Sequence, residues 1–214
     1  MIREPRCKVF RYKNLVIKTH PEVYEPAEDT FQLLEVLNVS KGDRVLEVGT
    51  GCGIIALVCA EAGANVVCSD INPYAVELTR RNYSLNKTCL KGDFEVRQGD
   101  LFSVLKPFEQ FDVIIFNPPY LPTKVDDIVG GSGWFDIAVS GGRDGFGVVK
   151  RFIKDVHRFL AKNGCVYFVF SSLSDKSKLE QILSKTNFKF KVLLTRNYND
   201  EQLDVYRLFF LTTC

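Results

Sequence analysis

Two periods of hydrophobicity divide most of this chain into strands and helices. Apolar runs of strand length fall at Arg44–Val48, Asn65–Ser69, Phe94–Gln98, Phe111–Phe116 and Gly164–Ser171, and the most apolar of them fit a sheet buried on both faces. Between them come stretches with helical spacing: Pro26–Leu37, where Phe31, Leu34 and Leu37 recur, the segment after the glycines that follow Val48, Pro73–Leu85, and Phe146–Leu160. This alternation predicts an α/β fold with a mostly parallel sheet, helices on both faces and right-handed crossovers. Ser177-Lys178-Leu179-Glu180 has the form of a capping box and is expected to open a further helix. The runs Lys189–Asn197 and Asp204–Thr212, joined by a polar stretch around Asn199-Asp200, predict an antiparallel hairpin at the sheet edge. From Leu121 to Gly145 the rhythm lapses for about 25 residues, longer than most connections in compact domains. That segment is either a lid or docking surface, or simply an irregular loop, with Trp134 and Phe135 available to pack.

Composition narrows the class. A length of 214 residues, 46% hydrophobic and 25% charged, supports one domain spanning the whole chain, with a short extension up to about residue 23. A net charge of +2 supplies no general argument for a nucleic-acid or membrane surface. The opening Met1–Arg6 lacks the apolar core of a signal peptide and no stretch approaches a membrane span, so a cytosolic protein is expected. None of the 7 cysteines forms a CxxC pair and most lie in apolar segments, which favours buried thiols over disulfides or metal ligands. His20 and His157 are far apart, so neither a metal site nor a Ser-His-Asp triad is expected.

Two constellations carry chemistry. Glu47-Val48-Gly49-Thr50-Gly51-Cys52-Gly53 follows a strand and opens a helix, and Asp70 ends the next strand about 20 residues on, where an acid accepts hydrogen bonds from ribose hydroxyls. The spacing is GxGxG rather than the dinucleotide GxGxxG, and Glu47 places a carboxylate where a pyrophosphate would sit. Charge therefore favours the cationic amino and sulfonium groups of S-adenosylmethionine. No GxxxxGK[ST] motif occurs. Asp100, with Leu101 packing on the ring, is a candidate for the adenine amino group, or else a helix cap; Asp29 and Thr30 could cover the methionine end, or Asp29 could cap the first helix. The second constellation is Asn117-Pro118-Pro119-Tyr120. Proline cannot donate to a ladder, so the chain leaves the sheet there. The Asn117 side-chain oxygen and the Pro118 carbonyl can then accept from the two hydrogens of a planar NH2 group, with the Tyr120 ring as a cover. A plain strand-ending turn would use the same residues.

Tyr24-Glu25-Pro26-Ala27-Glu28-Asp29-Thr30, Leu46-Glu47-Val48-Gly49-Thr50-Gly51, Asp70-Ile71-Asn72-Pro73, Asn117-Pro118-Pro119-Tyr120 and Gly141-Gly142-Arg143-Asp144-Gly145 occur in this order. Together they resemble the HemK-like protein glutamine methyltransferases, especially the short eukaryotic and archaeal branch acting on class I translation termination factors. The resemblance implies a Rossmann-like class I methyltransferase fold, a seven-stranded sheet with its last strand antiparallel. It implies methyl transfer to the side-chain nitrogen (N5) of the glutamine in a release factor's Gly-Gly-Gln loop. It implies a cofactor site of Asp29, Thr30, Glu47, Gly49, Gly51, Asp70, Asp100, Leu101 and Asn117, and a glutamine site of Asn117, Pro118, Pro119 and Tyr120. It also implies a small zinc-binding activator subunit that extends the sheet from its edge, expected to face the Asn65–Ser69 strand and the helix after it. The extra N-terminal helical domain of bacterial members is not expected here. Gly141–Gly145 either walls the target amide from behind or forms a turn in which Asp144 caps the next helix; it is assigned no catalytic role. Arg6–Lys18 matches no family motif.

Three rival readings remain. An adenine-N6 methyltransferase on DNA or RNA would use the same two acceptors, against which stand the near-neutral charge and the lack of a recognition domain. A nicotinamide oxidoreductase conflicts with the glycine spacing and Glu47, and a silent binding subunit conflicts with the intact Glu47, Asp70 and Asn117–Tyr120.

Overall fold

The computed structural model describes residues 7–122, 133–142 and 144–210. An antiparallel hairpin, β1 (Val9–Tyr12) and β2 (Leu15–Lys18), precedes α1 (Glu28–Val36). Then follow β3 (Arg44–Val48), α2 (Ile54–Ala62), β4 (Asn65–Asp70), α3 (Pro73–Asn86), β5 (Phe94–Gln98) and β6 (Phe111–Phe116). The second half holds α4 (Trp134–Val139), α5 (Gly147–Asp155), β7 (Leu160–Ser171), α6 (Lys176–Leu183), β8 (Phe188–Tyr198) and β9 (Glu201–Phe210). Strands β3 to β9 form a seven-stranded sheet in the order β5-β4-β3-β6-β7-β9-β8, and β9 alone runs against its neighbours. Strand order reverses between β3 and β6, so their carboxyl ends flank the crevice where open α/β sheets bind ligands.

Period-two alternation sorts the sheet's side chains into two cores. Val45, Val113 and Ile115 face the layer containing Leu33 of α1 and Leu57 of α2; Leu46, Ile114 and Phe116 face Phe152 of α5 and Leu179 of α6. By the same parity Glu47 falls on the face of Val45, and Asn117 on the face of Ile115. Both acid and amide are therefore aimed at α1 and α2, the side from which the first motif arrives.

Several expectations need correction. The Asn65–Ser69 strand, expected to meet an activator, is internal: β4 pairs with β3 on one side and β5 on the other, so the free edge at that end of the sheet is β5. The helix read over Phe146–Leu160 stops at Asp155, followed by a 3-10 turn over Val156–Arg158, and β7 begins already at Leu160. The sheet wins there because Phe111 donates its backbone N–H to the Phe159 carbonyl at 2.8 Å, drawing that segment into register with β6. The α6 N-cap is Asp175, whose carboxylate accepts from the N–H groups of Ser177 and Lys178; Ser177 is already inside the helix. The 121–145 segment is not wholly irregular, since α4 lies within it, although residues 123–132 and Arg143 fall outside the described residues.

The N-terminal segment without a family motif has a structural task. Asn82, fully buried on α3, accepts from the Lys18 N–H at 2.9 Å and donates to the Lys18 carbonyl at 2.9 Å and the Cys52 carbonyl at 2.8 Å. Asn86 pairs in the same two-way manner with Val16, at 2.8 Å in each direction. Two carboxamides thus act as a substitute strand for β2 and tie it to the glycine turn. Asn82→Ala strips the buried Cys52 carbonyl and the part-buried Lys18 backbone of their partner and should cost roughly 1–3 kcal/mol of stability in urea denaturation.

Candidate active site

The glycine turn after β3 bends because Gly49, Gly51 and Gly53 all adopt positive φ, at 68°, 57° and 83°. Gly53 is the most constrained: a Cβ there would lie 2.8 Å from Thr79 Cγ2, so α3 can pack on the turn only if position 53 carries no side chain. Asp70, at the end of β4, accepts from the N–H groups of Gly51 and Asn72, each at 2.9 Å. Burial raises its pKa, and those two bonds pull the other way. Glu47 is buried, and its Oε2 accepts from Thr50 Oγ1 at 2.6 Å and from the Ala56 N–H at 3.1 Å. Burial pushes its carboxyl up to about 8 despite both bonds.

A raised folded-state carboxyl pKa fixes the sign of a pH effect. Below the unfolded value of 4.5 both states hold the proton and stability is full. Between 4.5 and about 8 only the folded state holds it, so stability falls as pH rises, and above about 8 this group adds no further slope. Glu47→Gln keeps an acceptor for Thr50 and Ala56 and removes the titration. Melting scans from pH 5 to 9 should show the variant losing less stability than the parent by several kcal/mol.

Glu47, Gly49, Gly51, Asp70, Asp100 and Leu101 line one cavity of about 300 Å³, which Thr30 and Asn117 also reach. Asp100 caps no helix; it sits in a turn and is ion-paired with Arg151, a residue that no sequence pattern singled out. Asp70 and the Arg151-paired Asp100 line this cavity beside Glu47, whose carboxyl burial keeps protonated up to about pH 8, so the cavity is rich in hydrogen-bond acceptors. That acceptor set suits a ligand carrying hydroxyl and amino groups, and a cation favours ionising Glu47 where a pyrophosphate would oppose it.

A second cavity, of about 240 Å³, adjoins the first and shares Tyr24, Asn117, Pro119 and Ala138 with it. Pro118 and Tyr120 line it together with Glu28, Glu201 and Tyr198. Asp29, expected beside the cofactor, lies on this second cavity instead, and it caps no helix, because the α1 N-cap is Ala27. Its Oδ2 accepts from Asn117 Nδ2 at 3.0 Å, Tyr24 OH at 3.0 Å and Tyr120 OH at 3.2 Å. Its Oδ1 accepts from the Thr30 N–H at 2.6 Å and Oγ1 at 3.1 Å. Burial, and then the charge of Asp29, raise both tyrosine pKa values, so the phenols stay protonated donors. With Nδ2 of Asn117 committed to Asp29, Oδ1 is a buried acceptor with no protein partner among the described residues. Asn117 is also one of the residues that line both cavities.

Gly141 and Gly145 pack against the turn at Tyr120 and Leu121. Ser174 Oγ lies 2.9 Å from the Tyr120 carbonyl and 3.3 Å from that of Gly145, and the Gly141 N–H donates to the Leu121 carbonyl at 2.9 Å. Asp144 is not the α5 cap; it accepts from the Phe146 N–H at 3.2 Å and pairs with Lys178. Ile137 and Ala138 of α4 wall the first cavity, and Ala138 and Val139 the second. The thiols of Cys52, Cys59, Cys68 and Cys165 are buried, and burial pushes that of Cys52 up to about 12, leaving it an inert packing group.

Sheet order, acceptor-rich crevice and paired cavities define a class I methyltransferase fold. The family model described as methyltransferase small domain matches residues 14–130. The chain is 39% identical over 185 residues to a putative protein N5-glutamine methyltransferase of Methanocaldococcus jannaschii, covering 86% of this chain and 90% of the relative. It is 32% identical over 196 residues to the human methyltransferase HEMK2, covering 87% and 89% respectively. Among solved structures, the E. cuniculi Mtq2-Trm112 complex, described as responsible for methylation of the eRF1 translation termination factor, shares the fold at TM-score 0.64 and 24% identity, over 88% of this chain and 99% of that one. The chain belongs to the methyltransferase small domain family, and within it to the short HemK-like branch. No helix among the described residues is long and apolar enough to cross a membrane.

Proposed function

We propose that this chain methylates the side-chain nitrogen (N5) of the glutamine in the Gly-Gly-Gln loop of a class I release factor, with S-adenosylmethionine as cofactor. One observation carries the reading: Asn117 is shared by the two cavities, and its buried Oδ1 has no protein partner among the described residues. The glutamine specificity named for the 39% identical relative supports it. Glu47, Gly49, Gly51, Thr30, Asp70, Asp100 and Leu101 hold the cofactor in the first cavity, Asp70 through the ribose hydroxyls and Asp100 at the adenine. When bound, S-adenosylmethionine supplies an electrophilic methyl group to a nitrogen presented beside it.

An amide nitrogen is a poor nucleophile because its lone pair is delocalised, so placement does most of the work. Asn117 Oδ1 and the Pro118 carbonyl accept from the two N–H groups, which turns the lone pair away from them. Both acceptors offset the positive charge that develops as nitrogen leaves conjugation. Pro119 stiffens the turn, and the Tyr120 ring, held through its hydroxyl, covers the planar group. After transfer the surplus proton leaves the nitrogen to water.

A small zinc-binding activator is the proposed partner, docking along the β5 edge, since β4 has no free side. The three carboxylates Glu28, Asp29 and Glu201 on the second cavity disfavour a nucleic-acid substrate, whose phosphates they would repel. The test incubates the purified chain, with and without activator, with radiolabelled cofactor and either release factor, a Gln→Ala version of its Gly-Gly-Gln loop, or DNA. Label should enter only the intact release factor. Label in DNA, or label persisting in the loop variant, would overturn the assignment.

A further inference from the structure

We propose that Asp29 is a positioning residue that selects which end of the Asn117 side chain meets the substrate. This rests on the glutamine-methyltransferase reading above. A carboxamide has ends of opposite hydrogen-bonding sense and similar shape, so packing alone discriminates poorly between its two orientations. If Nδ2 faced the substrate, donor would meet donor and the nitrogen would not be held. Asp29 prevents this from 88 residues away in sequence. Its carboxylate has no hydrogen to give, so a flipped Asn117 would set its oxygen against a charged oxygen in a buried site and forfeit the Nδ2 bond.

Asp29 can impose that choice because it cannot itself turn. It is 2% exposed, and five donor contacts fix both oxygens: two from Thr30 on Oδ1, and those of Tyr24, Tyr120 and Asn117 on Oδ2. One buried carboxylate thereby registers the first motif against the Asn117–Tyr120 turn and orients three side chains of the wall between the cavities. It also has an electrostatic effect. An N–H···O⁻ bond at Nδ2 draws electron density toward Oδ1, which strengthens that acceptor as positive charge grows on the substrate nitrogen.

The test compares the parent with Asp29→Asn and with the exchange Asp29→Asn/Asn117→Asp. In the single variant the introduced carboxamide can donate to Asn117 and let it flip. Turnover should fall about 100-fold, while calorimetric affinity for S-adenosylmethionine and the melting temperature stay close to those of the parent. In the exchange, the carboxamide at position 29 donates to a carboxylate at position 117, whose second oxygen faces the substrate; at least about tenfold of the lost turnover should return. A purely structural Asp29 would instead lower stability, cofactor affinity and turnover together, with no recovery in the exchange. A second readout needs no protein substrate: the side-chain amide protons of Asn117, assigned by their loss in Asn117→Asp, should resonate downfield and exchange slowly, and move upfield in Asp29→Asn. Unaltered turnover in the single variant, or amide protons indifferent to it, would overturn the proposal. Should the parent leave release factor unlabelled, the glutamine reading fails separately, and the amide resonances still decide the role of Asp29.

Discussion

Asn117→Ala should lower turnover on release factor by about 10²–10³-fold and leave affinity for S-adenosylmethionine within a few-fold of the parent. The asymmetry follows from what the side chain touches. Its Oδ1 has no protein partner among the described residues, so truncation there removes no internal bond. Its Nδ2 bonds Asp29, but Asp29 Oδ2 keeps Tyr24 and Tyr120 as donors, so the buried carboxylate is not stranded. The cofactor cavity keeps Glu47, Asp70 and the glycine turn. Single-turnover kinetics against calorimetric binding separates the two quantities. A parallel collapse of cofactor affinity would mean that Asn117 serves the first cavity rather than the second.

Asp70→Ala should act in the opposite sense, weakening cofactor binding by about 10²–10⁴-fold with turnover near that of the parent once cofactor is saturating. Each hydrogen bond from a ribose hydroxyl to a carboxylate contributes about 1.5–3 kcal/mol, and the substitution removes two. It also frees the N–H groups of Gly51 and Asn72, which Asp70 accepts at 2.9 Å, so the turn itself loosens. Asp70→Asn, which still accepts from one of them, should fall between. Unchanged affinity in the alanine variant would reject the ribose assignment outright. Measured on one preparation, the pair tests whether binding and presentation are housed in separate residues.

The asparagines and the sheet edge illustrate how far one-dimensional reading reaches. The strands at Arg44–Val48, Phe94–Gln98 and Phe111–Phe116 were legible to the residue, because short apolar runs and the proline or glycine punctuation that ends them are local properties of the chain. Helix ends were less so, as at Phe159, where a backbone bond to Phe111 overrides helical spacing. The Arg151–Asp100 pair and the Asn82 and Asn86 clamps left no trace in the sequence. Each partner there is an ordinary polar residue, and only a contact spanning 51 to 70 positions gives it meaning.

What the sequence determined by itself is the chemistry on offer: a glycine bend flanked by Glu47 and Asp70, a proline-broken strand bearing Asn117, and alternating elements that bring both to one end of a parallel sheet. Those are matters of local sterics and spacing. Only the tertiary structure decided how that chemistry is aimed. It set Asp29 on the second cavity against the Asn117 side chain, placed β5 rather than β4 at the edge, and left Oδ1 of Asn117 buried without a partner among the described residues. The physical reason is that orientation is settled by which buried donors and acceptors must satisfy one another, and that pairing does not exist until segments distant in the chain are packed together.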